Sequence, residues 1–167
     1  MRKVLIFTAA VMLLVSCIKE KPAGADLQVG DKLPDFEVVM NDGTVMNDEI
    51  LKDEISVVMF FHTSCPDCQQ VLPVVQQIYD EYASKNVVFC LMSREESETS
   101  ISDYWKINSF DMPYSAQDDR EVYQKFAKER IPRVYVNEKG GTIRYVFTDN
   151  PNPVYDDIKT SLESLIR

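Results

Sequence analysis

The sequence has 167 residues, of which 45% are hydrophobic and 27% are charged, and these values suit one globular domain of ordinary size. Its formal net charge of −9 argues against nucleic-acid binding, which requires clustered Lys and Arg side chains. Its four cysteines include one close pair, which excludes the disulfide framework of a small secreted domain.

The N-terminal segment predicts export and lipid attachment. Two basic residues precede an apolar run of 12 residues (4–15), which suits a signal-peptide core but is shorter than the about 20 residues that span a bilayer. A small residue and then Cys17 follow, an arrangement that resembles the lipobox of bacterial lipoproteins. We therefore predict a signal peptide over 1–16, a tether over 17–26 that starts at a lipidated Cys17, and a folded domain over 27–167. The alternative is an ordinary signal peptide followed by a chance cysteine.

Hydrophobic periodicity predicts alternating strands and helices after the tether. In chain order these are a β-hairpin of strands 36–40 and 44–46, a short helix or turn at 48–52, strand 56–61, helix 66–84, strand 87–92, helices 96–107 and 119–128, strands 133–136 and 142–147, and helix 154–166. The β-α-β order implies a parallel strand pair, and the late hairpin implies an antiparallel edge. The sequence therefore predicts an α/β fold with a mixed central sheet, helices on both faces and an N-terminal β-hairpin.

The motif Cys65-Pro66-Asp67-Cys68 lies where a buried strand turns into a helix. The N-terminus of a helix carries about half a positive charge, which favours a thiolate at Cys65. A thiolate attacks a disulfide sulfur to form a mixed disulfide, which a second thiol resolves. We therefore expect Cys65 to attack and the more buried Cys68 to resolve. Pro66 suits the first helical position, where its missing N–H would have no partner. This chemistry uses a redox-active disulfide and no other cofactor.

A C-x-x-C pair is also half of a zinc site, but such a site needs two further ligands. The chain has a single histidine, His62, and the other cysteine of the predicted mature domain is Cys90, in the middle of a strand. Because the sequence offers no second ligand pair, we predict no metal site. Cys90 is expected to be a buried and inert thiol.

Several motifs in order resemble the thioredoxin superfamily, specifically its TlpA/ResA-like thiol–disulfide oxidoreductases, over roughly residues 29–167. The matching segments are Val29 to Phe36 (VGDKLPDF), Asp42-Gly43, the Cys65 to Cys68 motif, Pro73, Ile131-Pro132 and Lys139-Gly140. The resemblance implies a thioredoxin-like three-layer sandwich with a helical insertion at 96–113. It also implies a cis peptide bond before Pro132, in a loop where the backbone of Ile131 pairs with an extended substrate segment.

The sequence departs from the family pattern beside the dithiol. Ser64 stands where the family usually has Trp, and Met59 stands where thioredoxin has a buried acid, so the usual proton acceptor for the resolving thiol is missing. Asp67 is the only acid inside the motif, and either it only stabilises the helix N-terminus or its charge opposes the Cys65 thiolate. His62 either packs at the strand end or stabilises that thiolate as an imidazolium.

Together these observations predict a thiol–disulfide oxidoreductase of the bacterial cell envelope, facing the periplasm and attached to the membrane only through its lipid. We expect it to act as a reductant on protein thiol and disulfide substrates and to draw electrons from a membrane donor. Two alternatives on the same fold are a peroxiredoxin-like peroxidase and a copper-delivery protein. The first requires Thr and Pro where the chain has His62 and Val58, and the second requires a C-x-x-x-C motif and a distant histidine.

Overall fold

The computed structural model describes residues 26–166, so the predicted signal peptide and the lipidation site at Cys17 lie outside the described part of the chain. The elements are β1 (Glu37–Val39), β2 (Val45–Asn47), α1 (Asp48–Asp53), β3 (Ile55–Phe61), α2 (Pro66–Tyr82) with a 3-10 turn (Ala83–Lys85), β4 (Val87–Ser93), α3 (Glu98–Asn108), β5 (Tyr114–Ser115), α4 (Glu121–Phe126), β6 (Arg133–Glu138), β7 (Thr142–Phe147) and α5 (Tyr155–Leu165). Within residues 26–166, every helix is too short or too polar to cross a membrane.

Five strands form the central sheet, in the order β5-β4-β3-β6-β7. β3 runs parallel to β4 and antiparallel to β6, and β7 adds a further antiparallel strand at the edge. Every residue of β3 is buried, which explains why this strand is a nearly continuous apolar run rather than an alternating one. The predicted mixed sheet is confirmed, and the strand that leads into the Cys65 motif is at its centre.

Helices cover both faces of this sheet, and two neighbouring phenylalanines at the end of β3 point to opposite sides. The ring of Phe61 packs against Trp105 of α3, with centroids 5.1 Å apart. The ring of Phe60 lies 5.3 Å from Tyr123 and 4.9 Å from Phe126, both in α4. The helix–sheet–helix layering therefore agrees with the predicted three-layer sandwich.

The hairpin of β1 and β2 is antiparallel, as predicted, and is joined to the sheet through β5. The backbone N–H of Asn41 donates to the carbonyl oxygen of Tyr114 at 2.7 Å, and the Ser115 hydroxyl donates to the carbonyl oxygen of Val39 at 2.6 Å. β5 is absent from the predicted elements because two residues are too few to display a strand's alternation.

The predicted helix 96–107 begins two residues later than its apolar pattern indicated, at Glu98. The hydroxyl oxygen of Ser97 accepts a hydrogen bond from the backbone N–H of Ser100 at 3.4 Å, so Ser97 caps the helix and fixes its start. As a result, Glu96 lies in the loop that follows β4, at the same edge of the sheet as the dithiol.

The predicted helix 119–128 is also shorter than expected and becomes α4. The carboxylate of Asp119 accepts a hydrogen bond from the backbone N–H of Glu121 at 2.8 Å, which forms a turn in front of the helix. At the other end, Ala127 has an extended backbone that stops the helix. The Ser97 cap and the Asp119 turn therefore account for the starts of α3 and α4, which the periodicity placed two residues too early.

Candidate active site

The dithiol lies at a turn between the end of β3 at Phe61 and the start of α2 at Pro66. Cys65 is the N-cap of α2 and has an extended backbone. Its N–H donates to the carbonyl oxygen of His62 at 3.0 Å, and its carbonyl oxygen accepts the first helical hydrogen bond from Gln69 at 3.0 Å. The predicted motif therefore occupies the first turn of the helix, at the positive end of the helix dipole.

The two motif cysteines are free thiols in different surroundings. Cys65 is partly exposed, and its sulfur lies 3.6 Å from the carbonyl oxygen of Ile131. Cys68 is completely buried. Burial raises the pKa of the Cys68 thiol, whereas the backbone N–H of His62 and the guanidinium of Arg94 act in the opposite direction. One sulfur is thus accessible to a partner, and the other lies behind it.

The loop of Ile131 and Pro132 lies directly against Cys65. The peptide bond between these two residues is cis, the geometry that the family resemblance implied. The loop is fixed from α4, because the Tyr123 hydroxyl donates to the carbonyl oxygen of Arg130 at 2.8 Å. Sequence positions 65 and 131 are therefore brought together as the two sides of one site.

Arg133, the residue after this proline, is a buried cation that ties the loop to the start of the domain. Its guanidinium pairs with the Asp26 carboxylate and donates to the carbonyl oxygen of Glu129 at 3.0 Å. The same carboxylate accepts a hydrogen bond from the backbone N–H of Lys128 at 2.8 Å. Asp26, which the sequence assigned to the tether, is thus fastened beside the loop that faces Cys65.

Asp67 has a partner that its sequence context did not reveal. The side-chain amide of Asn152 donates to the Asp67 carboxylate at 3.0 Å, across 85 positions of the chain. Asn152 belongs to the loop between β7 and α5, which therefore reaches the first turn of α2. This contact holds the only acid of the motif in place beside the dithiol.

The sequence analysis missed Glu96, a buried carboxylate behind the active-site turn. One of its oxygens accepts a hydrogen bond from the backbone N–H of Thr63 at 2.8 Å, and the other accepts one from the Thr63 hydroxyl. His62 also lies here, with its Nδ1 3.7 Å from Glu96 Oε2. The signal that could have found Glu96 is the serine after it, since a Ser N-cap leaves the preceding residue in the loop.

Cys90 is fully buried in β4, where it is paired in register with Val58 of β3. Burial alone raises the pKa of this thiol to about 12. The predicted burial is thus confirmed. In the described part of the chain, no three His, Cys, Asp or Glu side chains are grouped so that they could hold a metal ion.

Comparison with known proteins gives one family and many relatives of the same kind. The Redoxin family model matches residues 28–162. The thiol-disulfide oxidoreductase ResA of Bacillus cereus (strain ZK / E33L) is 20% identical over 117 residues, which cover 70% of this chain and 68% of that protein. The sporulation thiol-disulfide oxidoreductase A of Bacillus subtilis (strain 168) is 28% identical over 136 residues, which cover 77% of this chain and 81% of that protein.

Solved structures share the fold at low sequence identity. A thiol:disulfide interchange protein of the thioredoxin family from Chlorobium tepidum TLS superposes with a TM-score of 0.71 at 22% identity, covering 86% of this chain and 100% of that one. The thioredoxin domain of a thiol-disulfide oxidoreductase from Bacteroides vulgatus superposes with a TM-score of 0.73 at 16% identity, covering 85% and 100% respectively. These likenesses agree with the thioredoxin-like fold described above.

Proposed function

The chain belongs to the Redoxin family and is a thiol–disulfide oxidoreductase of the ResA-like kind, and on this premise we propose that it reduces protein disulfides through Cys65 and Cys68. The observation that supports these roles most directly is the pair of environments at the motif. Cys65 is partly exposed at the start of α2 and faces the Ile131 carbonyl, whereas Cys68 is buried one turn further along. An accessible sulfur backed by a sheltered one is the arrangement that attack followed by resolution requires.

The proposed reaction conserves electrons between two dithiol pairs. The Cys65 thiolate attacks one sulfur of a substrate disulfide, a mixed disulfide forms, and the substrate's other sulfur leaves as a thiolate that takes up a proton. Cys68 then loses its proton and attacks the Cys65 sulfur, which closes the Cys65–Cys68 disulfide and releases the second substrate thiol. Two electrons pass from the protein to the substrate. The backbone N–H of His62 and the guanidinium of Arg94 help the second step, because both favour the Cys68 thiolate.

Substrate is proposed to bind along Ile131 and Pro132. The Ile131 carbonyl oxygen lies 3.6 Å from the Cys65 sulfur. It can therefore accept a backbone hydrogen bond from an extended substrate segment whose disulfide lies against Cys65. A Cys68→Ser variant should keep the attacking thiol and stop at the mixed disulfide. Mass spectrometry of the trapped adducts should then find substrate cysteines on Cys65. Adducts on Cys90, or none in cells where the unchanged protein is active, would contradict the assignment.

The reducing direction is proposed from the charge of Asp67. A carboxylate in the first turn, held by Asn152, opposes a thiolate at Cys65 and so destabilises the reduced form. The reduction potential should then lie nearer the thioredoxin value of about −270 mV than the DsbA value of about −120 mV. Equilibration with glutathione buffers, read by alkylation, gives this potential.

Asp67→Asn should move the potential towards less negative values. The matched control is Asp80→Asn, which removes a carboxylate from the same helix that also accepts a hydrogen bond from an amide, that of Gln76 at 2.7 Å. The control should leave the potential unchanged. A wild-type potential near the oxidising end, or equal shifts in the two variants, would mean that Asp67 serves only the helix end.

The proposed location is the periplasmic side of the cell envelope, with a lipid on Cys17 and a membrane protein as electron donor. The support is the signal-peptide pattern before Cys17 and the short polar segment after it. Cys17→Ala should release the protein from membranes into the soluble fraction. If the variant still sediments with membranes, the lipid is not the anchor.

A further inference from the structure

The single histidine of the chain lies in the turn just before Cys65, and its Nδ1 atom has competing neighbours. The backbone N–H of Ser64 donates to Nδ1 at 3.1 Å, and the Ser64 hydroxyl oxygen lies 3.0 Å away. On the other side, the carboxylate oxygen Oε2 of Glu96 lies 3.7 Å from the same nitrogen. One ring atom of His62 thus lies between a donor next to the nucleophile and a buried acceptor.

The protonation state of His62 decides which neighbour Nδ1 can bond. A neutral ring with its proton on Nε2 has a lone pair on Nδ1, which can accept from the Ser64 N–H. In the imidazolium both nitrogens are donors, so Nδ1 can no longer accept from that N–H. It can instead donate to the Ser64 hydroxyl oxygen at 3.0 Å, and its charge is attracted to Glu96. Protonation therefore breaks the hydrogen bond from the N–H of Ser64, the residue before Cys65, and adds a charge attraction to Glu96, whose Oε2 lies 3.7 Å from Nδ1.

Glu96 is well suited to this role because its position is fixed independently of His62. Both of its oxygens are bonded to Thr63, through the backbone N–H and the hydroxyl, and only 5% of its side chain is exposed. A carboxylate that is sheltered from solvent acts strongly on a neighbouring charge. The side chain of His62 is 26% exposed, so protons from solvent can reach the ring.

We propose that His62 and Glu96 form a proton-dependent switch that sets the position of Ser64 and the charge beside Cys65, so that Cys65 reacts faster when His62 is protonated. The switch rests on Cys65 being the attacking thiol but not on the direction of electron flow. Histidine is the side chain whose ordinary charge change falls between about pH 5 and 8. His62 and Glu96 are positioning residues here, since neither contacts a substrate.

The other acid near His62 already has a cationic partner. Glu95 follows β4 and interacts with His62, but its pKa is lowered first by its hydrogen bond to Arg120, which comes from the loop before α4. The guanidinium of Arg94 lies 3.9 Å from the carboxylate of Glu95, and its charge also favours the Cys68 thiolate. Among the described residues, Glu96 is therefore the acid near His62 that has hydrogen bonds but no cationic partner other than the imidazole.

The first test follows the protonation of His62 itself. With one histidine in the chain, a single imidazole resonance titrates in the proton NMR spectrum of the untagged full chain carrying Cys17→Ala. Glu96→Gln, which keeps an acceptor for Thr63 but removes the charge, should move the midpoint to lower pH. The control Glu95→Gln removes an acid that is 38% exposed and paired with Arg120, and it should move the midpoint less. Equal shifts, or none with Glu96→Gln, would overturn the proposed pairing.

The second test measures the reactivity of Cys65 in a Cys17→Ala, Cys68→Ser background, with iodoacetamide as the probe. His62→Asn places an uncharged acceptor close to the Nδ1 position and so mimics the neutral state. At pH 5.5 the unchanged His62 protein should react about threefold to tenfold faster than His62→Asn, and near pH 9 the two rates should converge. Identical ratios at both pH values would overturn the switch. If instead Cys65 reacts no faster than a free cysteine at any pH in either protein, its role as the attacking thiol fails.

Discussion

Cys68 and Cys90 are both completely buried, and burial raises the pKa of both thiols, yet their surroundings differ in every other respect. Cys68 lies in the first turn of a helix, where the backbone N–H of His62 and the guanidinium of Arg94 oppose the effect of burial. For Cys90, in the middle of a strand, burial is the only cause of the shift. The difference teaches that burial by itself disfavours the thiolate, which is the reactive form. Reactivity requires donors and positive charge at the sulfur, together with a second thiol within reach.

The comparison is tested most strongly by reactivity in the native state. Alkylation of the reduced protein at neutral pH should label Cys65 first, then Cys68, and Cys90 last. Because Cys90 becomes accessible only when the core opens, its labelling should be slower than that of Cys65 by a factor of about 10³ or more. Mass spectrometry of peptides from a time course gives the three rates. Preferential labelling of Cys68 would reverse the proposed roles, and rapid labelling of Cys90 would break the comparison.

The next largest difference between the two buried thiols should be in the effect of their substitution on disulfide-reduction activity. Cys68→Ser removes the proposed resolving sulfur, so multiple-turnover reduction of insulin disulfides should fall by about a hundredfold or more. Cys90→Ala should stay within about twofold of the unchanged protein, since the proposed exchange does not use Cys90. The assay is the turbidity of precipitating insulin chains with excess dithiothreitol. A large loss of activity in a folded Cys90→Ala protein would give this thiol a function that the structure does not explain.

Stability should show the opposite ranking. Cys90→Ser buries a hydroxyl among apolar side chains, and an unsatisfied buried polar group costs about 1–3 kcal/mol of unfolding free energy. Cys68→Ser should cost less, because the backbone N–H of His62 can donate to the new hydroxyl oxygen. Urea unfolding under reducing conditions measures both values. A larger loss of unfolding free energy for Cys68→Ser would mean that the backbone N–H of His62 does not bond the serine oxygen as it bonds the sulfur.

The smallest expected effect is on the pH dependence of stability. The pKa of Cys90 is raised from the ordinary 9.0 to about 12, so the folded state keeps this proton at a pH where the unfolded chain loses it. The stabilisation is therefore fully present below pH 9 and is lost as the pH rises towards 12. At pH 10 the loss should be about 1 kcal/mol, and Cys90→Ala should show a correspondingly smaller fall between pH 8 and pH 10. Parallel curves for the two proteins would show that ionisation of Cys90 does not contribute.

Much of this architecture follows from local signals in the sequence. The apolar run of β3, the proline at the start of α2 and the C-x-x-C spacing place the dithiol at a strand-to-helix turn, and the structure agrees. The sequence could not reveal contacts between distant segments, such as Asn152 with Asp67. It also placed the start of α3 two residues too early, at Glu96, because periodicity reports which side of a helix is apolar and not where capping starts it. At this site that small boundary error concealed a buried carboxylate.

Because Asp26 is paired with Arg133, the start and the end of the described domain lie at different distances from the dithiol. Arg133 starts β6 opposite Phe60, at the end of the sheet where the dithiol lies, so the described chain enters the domain beside the site. α5 finishes at the other end of the sheet, where Ile166 borders the same cavity as Glu54, just before β3. A dye, bead or fusion partner attached after α5 should therefore leave the dithiol open to large substrates. The same cargo placed just before Asp26 should crowd it.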